Sequence, residues 1–146
     1  MKVKLVIFGE PKCKQSARFF NKKGSIHSYQ PEKVKRDTNN IQIQVISQLP
    51  FNFKPMNGPI IVHQALFVFA PLKNLSKRKL NAIEKEQVYK STKPDLHDNL
   101  FKNLMDSLEG IVYLNDSQIV EVRNASKIYG IEPRTELILE EIEKPN

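Results

Sequence analysis

Four residues between positions 95 and 116 have the types and spacing for chemistry on an anionic substrate: Asp95, Asp98, Lys102 and Asp116. The first two share the stretch "KPDLHDN", Lys102 follows Asp98 by one helical turn, and Asp116 sits in "LNDSQ". Carboxylates brought together repel each other unless a cation lies between them. A hard divalent ion suits such a place: Mg²⁺ takes oxygen ligands, keeps several waters and accepts phosphate oxygens as further ligands. It activates water and neutralises charge that grows on a phosphate. Lys102 would then steady the transition state or the leaving oxygen. Asp95, Asp98 and Asp116 are thus the expected metal ligands, and Lys102 completes the expected catalytic set. A plainer role stands beside this one for Asp98. It is a natural N-cap, and with Lys102 it makes an i,i+4 pair on an ordinary amphipathic helix.

The elements that must position these side chains can be read from periodicity. In "DNLFKNLMDSLEG", Leu100, Leu104 and Leu108 form a stripe widened by Phe101 and Met105, with Asp98, Asn99, Lys102 and Asp106 opposite. Gly110 ends that helix and Pro94 stiffens the loop before it. "IVYL" and "SQIVEVRNASKIYG" flank Asn115-Asp116 as two strands of a hairpin, which would fold Asp116 back beside the helix start. Elsewhere, "MKVKLVIFG" alternates as a first strand with Val3, Leu5 and Ile7 on one side. "EPKCKQSARFFNKKGSIHSYQ" reads as a loop. A helix from Pro31-Glu32 to about Gln48 turns Val34, Ile41, Val45 and Leu49 to one face. "PFNFKPMNGP" is a turn-rich connection, and "IIVHQALFVFA" has the length and composition of a central strand. Ser76 caps a helix through roughly Val88 that buries Leu80 and Ile83, and "RTELILEEI" is a last strand. Strands and helices mix without steady alternation. The expected fold is α+β: one domain over residues 1–146, a mixed β-sheet with helices packed against it.

The charge is divided along the chain. Residues 1–94 hold 18 Lys/Arg against 5 Asp/Glu and the remainder 5 against 11, within a net +7. A basic first part suits a polyanionic partner, because each lysine set on a phosphate releases condensed counterions. Lys12, Lys14, Arg18, Lys22, Lys23, Lys77, Arg78 and Lys93 are the expected phosphate contacts, the first five interleaved with Phe19 and Phe20. Solubility and solvated helix faces account for such charges equally simply. The single cysteine, Cys13, excludes an internal disulfide and a thiolate zinc cluster. His27, His63 and His97 are scattered. No stretch looks like a signal peptide or approaches the ~20 apolar residues of a membrane span, so a cytoplasmic protein with no membrane partner is expected.

"KPDLHDNLFKNLMDSLEGIVYLNDSQIVEV" resembles the signature of the RusA-like Holliday junction resolvases: Lys-Pro-Asp-x-Asp-Asn-Leu-x-Lys, then Asp-x-Leu, then Asp-Asp-x-Gln-(Ile/Val). "GEPKCKQSARFF", "SYQPEKVK" and "SKIYG" are similar to other parts of the family pattern, in order. The resemblance implies a homodimeric, Mg²⁺-dependent (with Mn²⁺ as substitute), structure-selective endodeoxyribonuclease. Such enzymes resolve four-way DNA junctions by paired symmetric nicks in recombination and repair, and phages and prophages often encode them. By matching position, Asp98 and Asp116 correspond to metal-binding acids, Lys102 to the essential lysine and Asp95 to the first acid. Two departures stand out. Leu96 and His97 both separate the first two aspartates where the motif has one residue, and Asn115 stands where many members carry another aspartate. An imidazole is a poor ligand for Mg²⁺, so His97 is not assigned to the metal. The alternative these departures raise is a junction-binding protein whose metal site is disabled.

Overall fold

The computed structural model describes residues 1–13, 18–22, 24–29 and 32–143. In chain order the elements are β1 (Lys2–Phe8), β2 (Arg18–Lys22), β3 (Ser25–Tyr29), α1 (Glu32–Gln48), β4 (Ile60–Phe69) and α2 (Lys77–Glu84). A π-helical turn (Leu96–Phe101) then runs into α3 (Lys102–Leu108), followed by a 3₁₀ turn (Asp116–Gln118), β5 (Ile119–Val122), β6 (Ala125–Tyr129) and β7 (Arg134–Glu141).

An apolar run such as that of β4 has no polar face to offer water, and it belongs inside a sheet. It lies there, with β7 antiparallel on one side and β5 and β6 parallel on the other. β1 pairs antiparallel with the far side of β7, giving the order β1-β7-β4-β5 with β6 also on β4. β5 takes the Ile60–Val62 end of β4 and β6 the Ala65–Phe69 end. Between them the Arg123 N–H donates to the Val62 carbonyl and the Ala65 N–H to that of Asn124. The fold is the expected mixed sheet with helices against it.

The main core lies on one face. Leu5, Ile7, Val62, Phe67, Leu137 and Leu139 of the sheet meet Ile41 and Val45 of α1 and Leu104, Met105 and Leu108 of α3. A smaller cluster of Leu66, Val68 and Ile128 occupies the other face. The outer edge of β1 is capped by side chains of α1. Gln48 accepts from the Val6 N–H at 2.9 Å and donates to the Val6 carbonyl at 2.7 Å. Gln44 does the same for Phe8 at 2.8 and 3.2 Å. Two amide groups thereby imitate the backbone of an absent neighbouring strand.

Three expectations need correction. The region read as a loop after β1 contains an antiparallel pair, β2 with β3, turned at Gly24 with φ of 79°. Neither "RFFNK" nor "SIHSY" alternates polar with apolar residues, so the pair left no period to read. "IVYL" is no strand of a hairpin. Val112 and Tyr113 are fully buried in a turn after α3, held by Met56 N–H to the Val112 carbonyl and Leu114 N–H to that of Met56. The following strands pair with β4 instead. α2 stops at Glu84 rather than near Val88, with Glu86 at positive φ, and Leu80 is only half-buried. Ser76 is its N-cap as expected, its hydroxyl accepting from the Lys79 N–H.

Candidate active site

The first two aspartates sit where a loop becomes a helix. Asp95 is the N-cap in extended backbone, and its side chain makes no capping bond. The Leu100 N–H reaches back five residues to the Asp95 carbonyl at 3.1 Å, the spacing of a π turn. This wider turn takes up the additional residue between Asp95 and Asp98. Asp98 is consequently inside the first turn and does not cap it, contrary to expectation, because helical bonding begins at the Asp95 carbonyl. Its carboxylate is 73% exposed and stands 3.5 Å from the His97 Nε2, an ion pair when that imidazole is protonated. Below the turn the stripe holds: Leu100, Leu104 and Leu108 are buried, with Lys102 exposed and Asp106 half-buried on the other side.

Asp116 is held quite differently. Asn115 caps the 3₁₀ turn, its side-chain oxygen accepting from the Ser117 N–H at 2.9 Å. Gln118 accepts from the Asn115 N–H at 2.7 Å and donates to the carbonyls of Met56 and Gly58 at 2.9 and 3.0 Å. Glu109 accepts from the backbone N–H of Asp116 itself at 3.0 Å. The turn is therefore tied both to the end of α3 and to the segment that leads into β4. Buried beneath it, the Tyr113 hydroxyl donates to the Met105 carbonyl. Burial first, and then the negative charges of Asp116, Glu109 and Asp106, push the ionisation of that phenol well above its ordinary range. Tyr113 is thus a neutral structural donor in an acidic neighbourhood.

Between α3 and this turn lies a shallow cavity of about 280 Å³ lined by Phe101, Lys102, Met105, Asp106, Asp116 and Ile119. It brings together Lys102 and Asp116 from the expected set and adds Asp106, which the sequence had placed only on the polar face. Asp95 and Asp98 do not line it. The donors are carboxylate oxygens, as Mg²⁺ requires, and Mg²⁺ is commonly held through one or two carboxylates with water and phosphate completing its shell. Among the described residues no group of three or more His, Cys, Asp or Glu is close enough to hold an ion unaided. The donor set therefore fits an ion whose shell the substrate completes, not a closed protein cage.

Glu109 and Gln118 were not singled out from the sequence, although "NDSQ" has the Asn-x-x-Gln spacing of a capping box. Of the expected phosphate contacts, Lys12 is next to the site helix, its carbonyl accepting from the Asn103 side chain at 3.2 Å. Lys77 and Arg78 are exposed at the start of α2, and Lys93 is exposed just before Pro94. Arg18 and Lys22 belong to β2, while Lys14 and Lys23 lie outside the described residues. Among the described residues, no helix is long and apolar enough to cross a membrane.

The chain is basic, with acids at a helix start and in a clamped turn. The model of the family described as endodeoxyribonuclease RusA matches residues 9–140, and the chain belongs to that family. It is also similar to the uncharacterized protein YqaN of Bacillus subtilis (strain 168), with 29% identity over 141 residues and 96% of each chain covered.

Proposed function

We propose that the protein is a Mg²⁺-dependent, structure-selective endodeoxyribonuclease that resolves four-way DNA junctions by paired nicks. The observation that carries this reading is the cavity shared by Lys102 and Asp116 in a chain of the RusA family. Asp116 would hold the ion from within the cavity, with Mn²⁺ as substitute, and the family motif assigns Asp98 and Asp95 to it although neither lines that cavity. When bound, it supplies an activated water and neutralises the scissile phosphate. The chain's own residues do the rest. Lys102 presents an ammonium to a phosphate oxygen as negative charge builds there. The Glu109 and Gln118 clamp keeps Asp116 in place while DNA enters. Lys12, Lys77, Arg78 and Lys93, with the lysines and arginine of the β2 region, take flanking phosphates without reading bases. A homodimer is part of the proposal, because a four-way junction is close to two-fold symmetric and paired nicks need two equivalent sites.

The test is nicking of a synthetic four-way junction against linear duplex, with and without Mg²⁺. Metal-dependent nicking that prefers the junction is expected, and Asp98→Asn or Asp116→Asn should stop it while leaving binding largely intact. Cleavage that persists in both variants removes the mechanism. A second reading is favoured by one observation, the absence of a self-sufficient metal-binding group among the described residues. On that reading the protein binds junctions without cutting them. Tight, salt-sensitive junction binding with no nicking in either Mg²⁺ or Mn²⁺ would select it.

A further inference from the structure

The loop that ends at Asp95 is fastened to the sheet by one side chain, the lysine of "SKIYG", to which the mechanism gives no role. The segment before it runs along the outer edge of β6: the Tyr129 N–H donates to the Val88 carbonyl at 2.9 Å, and the Lys90 N–H donates to the Lys127 carbonyl at 3.0 Å. Backbone pairing ends there. Beyond it the Lys127 ammonium takes over, donating to the Thr92 carbonyl at 2.6 Å and to the Pro94 carbonyl at 2.8 Å. Lys90 adds a side-chain bond to the Thr92 hydroxyl at 2.9 Å, with its own ammonium over the Phe69 and Tyr129 rings. An ammonium has three donors and no acceptor, so two of the three from Lys127 are committed to this loop. Charge-assisted bonds of this length are the stronger kind. They end one residue before Asp95.

We infer that Lys127 is a positioning residue for the loop that carries Asp95: it sets the backbone from which that carboxylate is presented, and it acts through the Thr92 and Pro94 carbonyls alone. This deepens the nuclease reading and rests on it for its catalytic consequence. Side chains that orient metal ligands from behind typically contribute about 10–100-fold to metal affinity. Lys127→Met keeps the aliphatic stem and removes both donors. Lys127→Arg keeps a cation able to serve two carbonyls.

Two measurements on the whole chain decide the matter. In hydrogen exchange without added metal, amides of residues 93–101 in Lys127→Met should exchange at least ~10-fold faster, while those of β4 and β7 keep their rates. The Leu100 N–H, bonded to the Asp95 carbonyl, is the most direct reporter. In nicking of a four-way junction across a Mg²⁺ series, the concentration at half-maximal rate should rise about 10–100-fold, with the plateau less affected and Lys127→Arg in between. Unchanged exchange over 93–101 overturns the inference. So does an equal loss of protection in β4 and β7, which would mark Lys127 as a residue of the fold. Faster exchange with an unaltered Mg²⁺ curve overturns the link to Asp95. Wild-type protein that nicks in no metal sinks the nuclease reading, and the exchange comparison then still decides whether Lys127 holds the loop.

Discussion

The two places that carry the acids are built on opposite plans. Around Asp116 the backbone is fastened by side chains: Glu109 takes its N–H, Asn115 takes that of Ser117, and Gln118 bridges to Met56 and Gly58. Around Asp95 and Asp98 the side chains are exposed, one lacks a capping bond and the other stands beside His97. Their backbone is held from behind, by Lys127 and by the π turn. One acid is therefore placed by the protein alone, and two keep a freedom that only a ligand would remove. Ordering exposed side chains costs rotamer entropy, which the bound ion and phosphate would have to offset.

Several substitutions would break this contrast. Asp116→Asn should have the largest effect, lowering junction nicking by roughly 10³-fold in single-turnover assays, since a metal's charge stabilisation amounts to several kcal/mol. Residual activity within tenfold of wild type would mean the clamped turn is not where the ion sits. Lys102→Ala should cost about 10²–10³-fold in rate with junction affinity little changed. Gln118→Ala tests the clamp itself. Taking the Gln118 donor from the Gly58 carbonyl, and leaving the Met56 carbonyl with the Leu114 N–H, should lower stability by about 1–3 kcal/mol in denaturant titration, with nicking reduced in step. Deleting His97 sharpens the other side. The π turn should relax to an α turn with the leucine stripe unmoved, and nicking should rise because Asp95 and Asp98 then have the spacing of the motif they resemble. No change in rate would show that the wider turn already serves the ion. The smallest effect belongs far from the site. A hydrogen bond from His63, 2.7 Å away, holds the Glu140 carboxyl below its ordinary value of 4.5. A depressed carboxyl stabilises the fold above its unfolded value and loses that contribution as pH falls through the folded one. Thermal melts of His63→Gln and wild type should accordingly differ slightly at neutral pH and converge in acid.

Elements with a strong period were legible in the sequence. Val34, Ile41 and Val45 marked the buried face of α1, and the two apolar runs of β4 on either side of His63-Gln64 announced a central strand. Ser76 and Gly110 announced one helix start and one helix end. Legibility failed where pairing depends on distant chain. "IVYL" has strand-forming residues, but four residues carry no information about partners, and contacts with Met56 turned it into a buried bend. The start of the site helix failed for another reason. The capping rule chose Asp98 because the leucine stripe begins just after it, whereas helical bonding starts three residues earlier, with the π-type bond from the Leu100 N–H to the Asp95 carbonyl. The site was half legible. Charge and spacing pointed to Lys102 and Asp116, whereas Asp106 came into view only when α3 and the 3₁₀ turn were set side by side.

One further feature bears on how the molecule behaves in crowded solution. A sheet margin with unpaired N–H and C=O groups is a template on which like chains stack into ladders. Gln44 and Gln48 occupy that template along β1, each offering both an acceptor and a donor. The sheet is thereby made finite on that side. A ribbon from a neighbouring copy would have to displace four hydrogen bonds before gaining its own.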